Sequence, residues 1–182
     1  LGSWNQDPAL DDSSQEYLIQ ETFVHPDFNS WPAENDIALF KLNRKVEFNQ
    51  HIKPICLNTK ESDFKQATAS GWGTVKFLGE KSKYLKIVDL QVHPDKTCAD
   101  IFIPASLKYN SSTMICAGPI VKDKDTCKGD SGGPLQVLLG ETNNYLQIGI
   151  LSFGIGCGRV DSPSIYTQIS SFIPWIEDIV WS

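Results

Sequence analysis

The chain has 182 residues, of which 41% are hydrophobic and 21% are charged. This composition supports one domain or two small domains with apolar cores, and it excludes an extended disordered chain. The formal net charge of -6 argues against general binding to nucleic acid, and no apolar stretch is long enough to span a bilayer, so no membrane partner is expected.

Short strand-like segments separated by turns follow one another along the chain. A turn at residues 24–28 ends one apolar run, and residues 36–42 form a compact strand candidate. Later strand candidates are residues 85–92, 135–139 and 146–153. The clusters of Gly, Pro, Asn, Asp and Ser between them are typical of an all-β barrel or sandwich. The polar stretch 58–66 is predicted to link two halves of the chain.

Five apolar side chains near the C-terminus recur at helical spacing, namely Phe172, Trp175, Ile176, Ile179 and Val180. This spacing places them on one face of an α-helix that packs against the rest of the fold. We expect Ser170 or Ser171 to cap this helix and Pro174 to lie in its first turn.

The cysteines are Cys56, Cys98, Cys116, Cys127 and Cys157. None of their spacings is the CxxC that is typical of zinc and redox motifs, so we predict no metal site. Four of them can pair among themselves, and the fifth is either free or bonded to a partner outside this sequence. Asn110 begins a glycosylation sequon, Asn-Ser-Ser, which has meaning only in the secretory pathway. Together these features favour a secreted, extracellular protein.

The most informative segment is residues 125–134, which read DTCKGDSGGP. A serine hydroxyl becomes an effective nucleophile only when a base removes its proton and hydrogen-bond donors stabilise the oxyanion. The glycines around Ser131 allow backbone N–H groups to approach a substrate carbonyl where a Cβ atom would collide. An ordinary Gly-rich turn is the alternative interpretation, and ten residues in this order argue against it.

This segment resembles the nucleophile segment of the trypsin/chymotrypsin family of serine proteases. The resemblance extends over the whole chain. The matching segments are residues 35–39 (NDIAL, around the catalytic aspartate), 54–57 (PICL), 70–73 (SGWG), 114–118 (MICAG), 152–154 (SFG) and 163–166 (PSIY). Each motif alone is weak evidence for the family, but the motifs follow the order and nearly the spacing of the family, so the set is specific for it.

The resemblance implies an all-β fold, a trypsin-like double antiparallel β-barrel with a C-terminal α-helix. Residues 1–57 would supply the C-terminal part of a first barrel, which is incomplete in this chain. Residues 58–66 would be the interdomain linker. Residues 67–182 would form the second barrel and the helix.

The roles of individual residues follow from the resemblance, position by position. Ser131 corresponds to the nucleophile, and Asp36 corresponds to the aspartate that orients the catalytic histidine. The backbone N–H groups of Gly129 and Ser131 correspond to the oxyanion hole. Asp130 corresponds to the carboxylate that receives the new N-terminal amine after zymogen cleavage, and a turn carboxylate that caps nearby N–H groups is its alternative.

The general base is the difficulty, because the chain has only His25, His51 and His93. Each of them lies in a sequence typical of a surface turn, at a position where the family carries no catalytic group. In the family, the base lies shortly before a segment similar to Leu1-Gly2. We therefore expect the 182 residues alone to lack the catalytic histidine and to be inactive.

Asp125 corresponds to the acid at the base of the S1 pocket in the trypsin branch of the family. A carboxylate there selects Arg or Lys, because a charged partner offsets its desolvation. Ser152 and Gly154 correspond to the pocket wall and its open mouth. Ser164 stands where the family usually has glycine, so we expect a narrower pocket and an altered Arg/Lys ratio. An exposed loop acid within residues 122–125 (KDKD) is the alternative for Asp125.

The resemblance also implies a disulfide scheme and a set of partners. It pairs Cys98 with Cys116 and Cys127 with Cys157, and it leaves Cys56 to bond to an N-terminal light chain. The implied partners are a protein substrate that is itself a zymogen and a serpin-type inhibitor, with no cofactor.

Among subfamilies, the chain looks most similar to arthropod clip-domain proteases, through residues 1–4 (LGSW), 132–136 (GGPLQ), 149–154 (GILSFG) and 175–181 (WIEDIVW). Ser3 stands where calcium-binding relatives carry glutamate, so the sequence gives no support for a calcium site. We predict a serine endopeptidase that cleaves after Arg or Lys in an extracellular zymogen cascade. The alternatives are a catalytically silent homologue that acts as a binding module or cofactor, and a structural or storage domain. Intact Ser131 and Asp36 argue against the silent homologue.

Overall fold

The structure is a computed structural model that describes residues 1–60, 63–74, 79–104, 107–140, 144–159 and 161–181. Its first third contains short strands, which are β1 (Ile19–Val24), β2 (Asn29–Ser30), β3 (Ala33–Glu34), β4 (Ala38–Leu42) and β5 (Cys56–Leu57). β1 and β4 form a two-stranded antiparallel sheet, and β2 and β3 form a hairpin. The described part of residues 1–57 therefore contributes paired strands without closing a barrel.

The second half of the chain forms a closed antiparallel barrel of six strands. They are β6 (Gln66–Gly71), β7 (Lys86–Val92), β8 (Met114–Pro119), β9 (Pro134–Leu138), β10 (Tyr145–Gly154) and β11 (Ser164–Gln168). The order around the sheet is β11-β8-β7-β6-β9-β10, and the pairing of β10 with β11 closes the circle. The predicted all-β fold with an antiparallel barrel is confirmed.

Alternating side chains of the barrel strands fill its interior, as expected for strands with one buried face. Ala67 and Ala69 on β6 leave room for larger residues from other strands, among them Leu90, Leu135 and Tyr166, each 0% exposed. Beyond this core, β5 pairs in parallel with the outer edge of β10. Residues at the end of the first half of the chain are thereby attached to the second barrel.

A helix that the sequence analysis missed follows β7. The sequence around His93 is typical of a surface turn, but α1 (Asp95–Phe102) begins there, with Pro94 at its N-cap position and Asp95 in its first turn. Cys98 and Phe102, four residues apart, are both 0% exposed. An acidic first turn and apolar residues at i and i+4 are ordinary helix signals, so the turn interpretation gave too much weight to the His-Pro-Asp sequence.

The predicted C-terminal helix is present as α2 (Ile173–Val180), and Pro174 lies in its first turn as expected. The predicted cap is wrong, because Ser170 and Ser171 lie in a preceding 3-10 turn (Ile169–Phe172). Ser171 Oγ instead donates a hydrogen bond to Ser112 O at 2.5 Å. The buried face of the helix joins a cluster made of Ile37, Ile169, Phe172 and Ile176, which packs the helix beside the residue that follows Asp36.

The first fifteen residues form a loop centred on the buried carboxylate of Asp11. Asp11 Oδ2 accepts hydrogen bonds from Ser3 Oγ at 2.7 Å and Trp4 N at 3.0 Å, and Oδ1 accepts one from Ser13 Oγ at 2.9 Å. The hydrogen bond from Ser3 is the largest of the effects that hold the pKa of Asp11 far below its usual range. Protein donors therefore satisfy the carboxylate that organises this loop.

Candidate active site

Asp36 connects the two halves of the chain. Its Oδ2 accepts a hydrogen bond from Ser152 Oγ at 2.6 Å, and its backbone oxygen accepts one from Thr167 Oγ1 at 2.8 Å. Both partners belong to strands of the second barrel, β10 and β11. Its other carboxylate oxygen, Oδ1, has no donor among the described residues. Asp36 is therefore fixed in position while one oxygen remains available to a further donor.

Ser131 lies at the tip of an exposed turn between two glycines with left-handed backbone. The φ angles are +98° at Gly129 and +81° at Gly132, a region that side chains other than glycine rarely adopt. The turn is anchored to β10 because Gly132 N donates to Leu151 O at 2.8 Å and Leu151 N donates to Gly133 O at 2.9 Å.

The donors and acceptors at the tip of this turn are unused. Neither the N–H of Gly129 nor that of Ser131 donates a hydrogen bond within the described part of the chain. Ser131 Oγ has no hydrogen-bond partner there either, and the residue is exposed. Each of these two N–H groups can therefore donate to an anion without breaking an existing hydrogen bond.

Asp130 points away from the tip of the turn, towards the SGWG segment. Its Oδ1 accepts a hydrogen bond from Gly73 N at 2.7 Å, and its Oδ2 accepts one from Cys127 N at 2.9 Å. A Cβ atom on Gly71 or on Gly73 would overlap the carboxylate, which explains why this segment needs glycines. Asp130 also borders a cleft of about 470 Å³ with apolar lining residues that include Ile87 and Val121.

Asp125, the first residue of the DTCKGDSGGP segment, is partly buried. Its Oδ1 accepts a hydrogen bond from Thr126 N at 2.8 Å, and its Oδ2 accepts one from Gly158 N at 2.9 Å. Burial raises the pKa of Asp125, and the two backbone hydrogen bonds oppose this effect. No Lys or Arg of the described residues forms an ion pair with it. This environment differs from the exposed loop that was the alternative for Asp125.

Ser164 faces Gly154 across the last pair of the β10–β11 ladder. A Cβ atom built on Gly154 would lie 2.7 Å from Ser164 Oγ, and Ser164 itself is 3% exposed. The Ser164 hydroxyl therefore occupies the space that a side chain at position 154 would need.

Sequence reasoning missed a buried hydrogen bond next to Asp125. Thr126 Oγ1 and Tyr166 OH are 3.1 Å apart and share a hydrogen bond, and both residues are buried. Thr126 is adjacent to Asp125 in the DTCKGDSGGP segment, and this adjacency was the available signal. Burial raises the pKa of Tyr166, so its hydroxyl stays protonated.

The structure contains both disulfide bridges of the expected scheme. Cys98–Cys116 joins α1 to β8, with Cα atoms 6.1 Å apart. Cys127–Cys157 joins the Asp125 loop to the loop of Gly158, with Cα atoms 5.3 Å apart. Cys56 on β5 is an exposed free thiol.

None of the three histidines forms an ion pair with Asp36. The His25 ring packs against Phe172 and Trp175, with ring centroids 5.3 and 5.1 Å away. His93 Nε2 is buried without a hydrogen-bond partner, and burial lowers the pKa of His93. His25 begins a turn as expected, since Phe28 N donates to its backbone oxygen at 3.0 Å. The side chains of His25 and His93 are half-buried, which the sequence did not predict, whereas His51 is exposed.

Other predicted sites lie away from this region. Asn110 is exposed at a turn, where its Oδ1 accepts a hydrogen bond from Ser112 N at 3.1 Å. Within the described ranges, His, Cys, Asp and Glu side chains do not gather in any group of three or more that could hold a metal ion. Neither α1 nor α2, the helices of the described chain, has the length and apolar character needed to cross a membrane.

A nucleophile turn with unused amide donors, on a closed antiparallel barrel, is the architecture of a serine-dependent hydrolase. The comparisons with known proteins agree with this class. The model of the Trypsin family matches residues 3–176. The chain belongs to the trypsin family of serine proteases, as its sequence motifs predicted.

Three curated relatives illustrate the similarity. The serine protease snk of Drosophila melanogaster is 38% identical over 176 residues, which cover 93% of this chain and 40% of that protein. Phenoloxidase-activating factor 1 of Holotrichia diomphalia is 36% identical over 192 residues, covering 97% of this chain and 52% of that protein. Kallikrein 1-related peptidase b22 of Mus musculus is 36% identical over 178 residues, covering 91% and 65%. The chain thus spans 40% to 65% of the lengths of these relatives.

Proposed function

We propose that the chain carries the nucleophile, the orienting aspartate and the specificity pocket of a serine endopeptidase that cleaves after Arg or Lys. The observation that carries this proposal is the partly buried Asp125 carboxylate, which has backbone hydrogen bonds but no cation partner among the described residues. A carboxylate removed from water without a counter-ion favours a ligand that supplies the positive charge. The guanidinium or ammonium group of a substrate supplies it.

The proposed chemistry begins with attack of Ser131 Oγ on the carbonyl carbon of the scissile bond. The negative charge that develops on the carbonyl oxygen is stabilised by the N–H groups of Gly129 and Ser131, which have no other acceptor in the described chain. A general base takes the Oγ proton and gives it to the leaving amine as the C–N bond breaks. Water then hydrolyses the acyl-enzyme ester, which releases the acid and restores the Ser131 hydroxyl. The rate advantage depends on these donors being in place before the charge forms.

We assign the general base to a histidine outside these 182 residues. Asp36 Oδ1 is the oxygen that would accept the hydrogen bond from its ring, because Oδ2 is already held by Ser152 at 2.6 Å. An aspartate in this role fixes the imidazole tautomer and stabilises the imidazolium. His25 and His93 are unsuited to it, since one packs against aromatic rings and the other has a buried, unpartnered Nε2.

We propose that Asp130 and its cleft bind the new N-terminus that forms when the zymogen of this protein is activated. A new N-terminal amine would bind the carboxylate, and an apolar first side chain would fill the cleft of about 470 Å³ beside Ile87 and Val121. Fixing Asp130 would in turn fix the turn that carries Ser131. We further propose that the protein is secreted and carries a glycan on Asn110 and a clip domain. Its proposed partners are a zymogen substrate and a serpin-type inhibitor.

A panel of matched peptides tests the proposed specificity. The full-length activated protein should cleave after Arg and Lys much faster than after Phe or Ala at the same position, because only the basic side chains neutralise Asp125. The four peptides should differ at that residue alone, and kcat/KM should be compared. Comparable or faster cleavage after Phe would contradict the proposed specificity for Arg and Lys.

Replacing Ser164 with Gly is expected to change the Arg/Lys ratio of kcat/KM by about twofold to tenfold, the effect of gaining or losing one hydrogen bond of about 0.5–1.5 kcal/mol. The Ser164 hydroxyl lies close to the Gly154 wall, and its removal widens the pocket. Ser164→Ala is the matched control for the hydroxyl alone. An Arg/Lys ratio that stays the same in both variants would count against a role for Ser164.

In the intact protein, Cys56 is expected to form a disulfide with a separate light chain. Its thiol is exposed on β5, while the other four cysteines are bonded in pairs within the chain. Peptide mapping of the intact protein without reduction would identify the partner. A free Cys56 thiol, or a bond from it to another cysteine of this chain, would refute the proposal.

A further inference from the structure

His93 packs behind the strand pair that carries Ser164. It directly follows β7, and its N–H donates to Cys116 O on β8 at 3.0 Å. A Cβ atom built on Gly118 would lie 3.2 Å from His93 Nε2 and 3.0 Å from both Cα and Cβ of Pro163. The His93 ring and Pro163 therefore meet at the place where Gly118 has no side chain.

Pro163 connects this contact to the specificity pocket. It directly precedes Ser164, and both residues are buried. Ser164 is paired with Ala117 of β8, the residue before Gly118. Pro163 has no N–H with which to bond to β8, so packing against Gly118 and His93 contributes to its position. A displacement of the His93 ring is therefore transmitted to the hydroxyl that narrows the pocket.

The surroundings of Nε2 favour the neutral form of His93. Nε2 is buried and has no hydrogen-bond partner among the described residues. Protonation turns both ring nitrogens into donors, so Nε2 would then carry an N–H without an acceptor. A charge buried beside Pro163 and Gly118 would also lose the solvation that water gives it. The protonated ring is therefore more stable in the solvent than in its packed position.

The charged side chains around His93 do not compensate a proton on its ring. Asp63, Lys65 and Asp95 border the same groove as His93, which has a volume of about 740 Å³. Asp95 accepts a hydrogen bond from Tyr109 OH at 2.6 Å. The other charged neighbours form ion pairs on the linker, on α1 and before β11, namely Asp63–Lys65, Lys96–Asp100 and Arg159–Asp161. β8 carries no charged residue, and no described carboxylate forms an ion pair with His93.

We propose that His93 is a positioning residue for the specificity pocket, and that protonation of its ring at mildly acidic pH releases Pro163 and weakens the binding of a basic substrate side chain. This inference rests on the proposed function, because it acts through the pocket of Asp125 and Ser164. His93 itself touches no substrate. Its role is to make the affinity of the pocket depend on pH.

The direction of the pH dependence follows from the burial of His93. Burial lowers the pKa of the packed ring, whereas a ring released into water has the ordinary histidine pKa of about 6.5. Below about pH 6.5, the released ring therefore binds a proton that the packed ring does not bind. The ratio of released to packed rings then rises by up to about tenfold for each pH unit, until the pH reaches the pKa of the packed ring. The packed arrangement is thus fully favoured above about pH 6.5 and is lost progressively below it.

Binding of benzamidine to the full-length activated protein measures this effect without the catalytic step. Benzamidine is a cation that takes the place of the basic substrate side chain in the pocket. Its Kd should be measured at about pH 8 and about pH 5.5 in the unmodified protein and in the His93→Gln variant, whose amide does not titrate. We expect the Kd to rise about threefold to tenfold more in the unmodified protein than in His93→Gln. Protonation of Asp125, whose pKa burial raises, weakens binding in both proteins, so the difference between them reports on His93.

A matched variant and a second measurement complete the test. His51→Gln removes a titrating ring from the exposed surface and is expected to keep the pH dependence of the unmodified protein. Hydrogen exchange of the unmodified protein requires no variant. The amides of β8 and β11 should lose protection at the lower pH, whereas those of β6 and β9 should keep it. Unchanged protection of β8 and β11, or the same pH dependence of Kd in the unmodified protein and in His93→Gln, would overturn the assignment.

Benzamidine binding at the higher pH separates the role of His93 from the proposed function. Binding at this pH, with a pH dependence that His93→Gln does not change, would overturn the role of His93 alone. Failure to bind benzamidine at the higher pH would overturn the proposed preference for Arg and Lys and the inference that depends on it.

Discussion

Residues 1–182, expressed alone, are expected to hydrolyse an Arg-amide substrate at least about four orders of magnitude more slowly than the full-length activated protein. The reason lies in the surroundings of Ser131 and Asp36. Ser131 Oγ has no hydrogen-bond partner among the described residues, and none of the three histidines pairs with Asp36. Unused oxyanion donors cannot replace a base, because they stabilise the product of the attack without removing the proton from the nucleophile.

Titration with a fluorophosphonate measures directly whether Ser131 is activated, since the reagent labels a serine only when a base activates it. The sample should first be shown to contain the Cys98–Cys116 and Cys127–Cys157 bridges, so that a misfolded chain is not counted as an inactive one. The full-length protein is the positive control, and its Ser131→Ala variant gives the background. Stoichiometric labelling of Ser131 in the short chain, together with turnover, would show that another group supplies the base.

The residue pattern predicted an all-β barrel or sandwich, and the family resemblance predicted the barrel. The turn that carries Ser131 was predictable because its motif is local and dense. Strand-like apolar segments predicted three of the six barrel strands to within one residue of their ends, namely β7 (Lys86–Val92), β9 (Pro134–Leu138) and β10 (Tyr145–Gly154). The glycines around Ser131 and in the SGWG segment are needed where backbone must approach a carboxylate or a substrate, so the sequence marks those positions directly.

Features that depend on contacts between distant segments were not predictable in the same way. The burial of His93 Nε2 arises from packing near Gly118, and the His25 ring is covered by residues about 150 positions later in the chain. Polar residues in turns give no periodic signal that would reveal such partners.

Replacing Asp125 with Asn is expected to lower kcat/KM for Arg and Lys peptides by about 10²- to 10⁴-fold, in line with the 3–5 kcal/mol lost when one partner of a buried ion pair is removed. The amide keeps the size of the carboxylate but cannot neutralise the substrate cation. It also brings an N–H₂ group towards Thr126 N or Gly158 N, which now donate to the carboxylate at 2.8 and 2.9 Å. Cleavage after Phe or Ala should change far less, because these side chains bring no charge into the pocket.

Asp161→Asn is the matched control, because it makes the same change in net charge close to the pocket loops. Asp161 pairs with Arg159 on the surface, where its side chain is 72% exposed, and exposed pairs of this kind contribute little. This variant is therefore expected to keep the ratio of Arg to Phe cleavage. The test is to measure kcat/KM for the Arg and Phe peptides in the Asp125→Asn and Asp161→Asn variants. If Asp125→Asn lowers Arg and Phe cleavage equally, Asp125 supports the pocket structurally and does not select the substrate by charge.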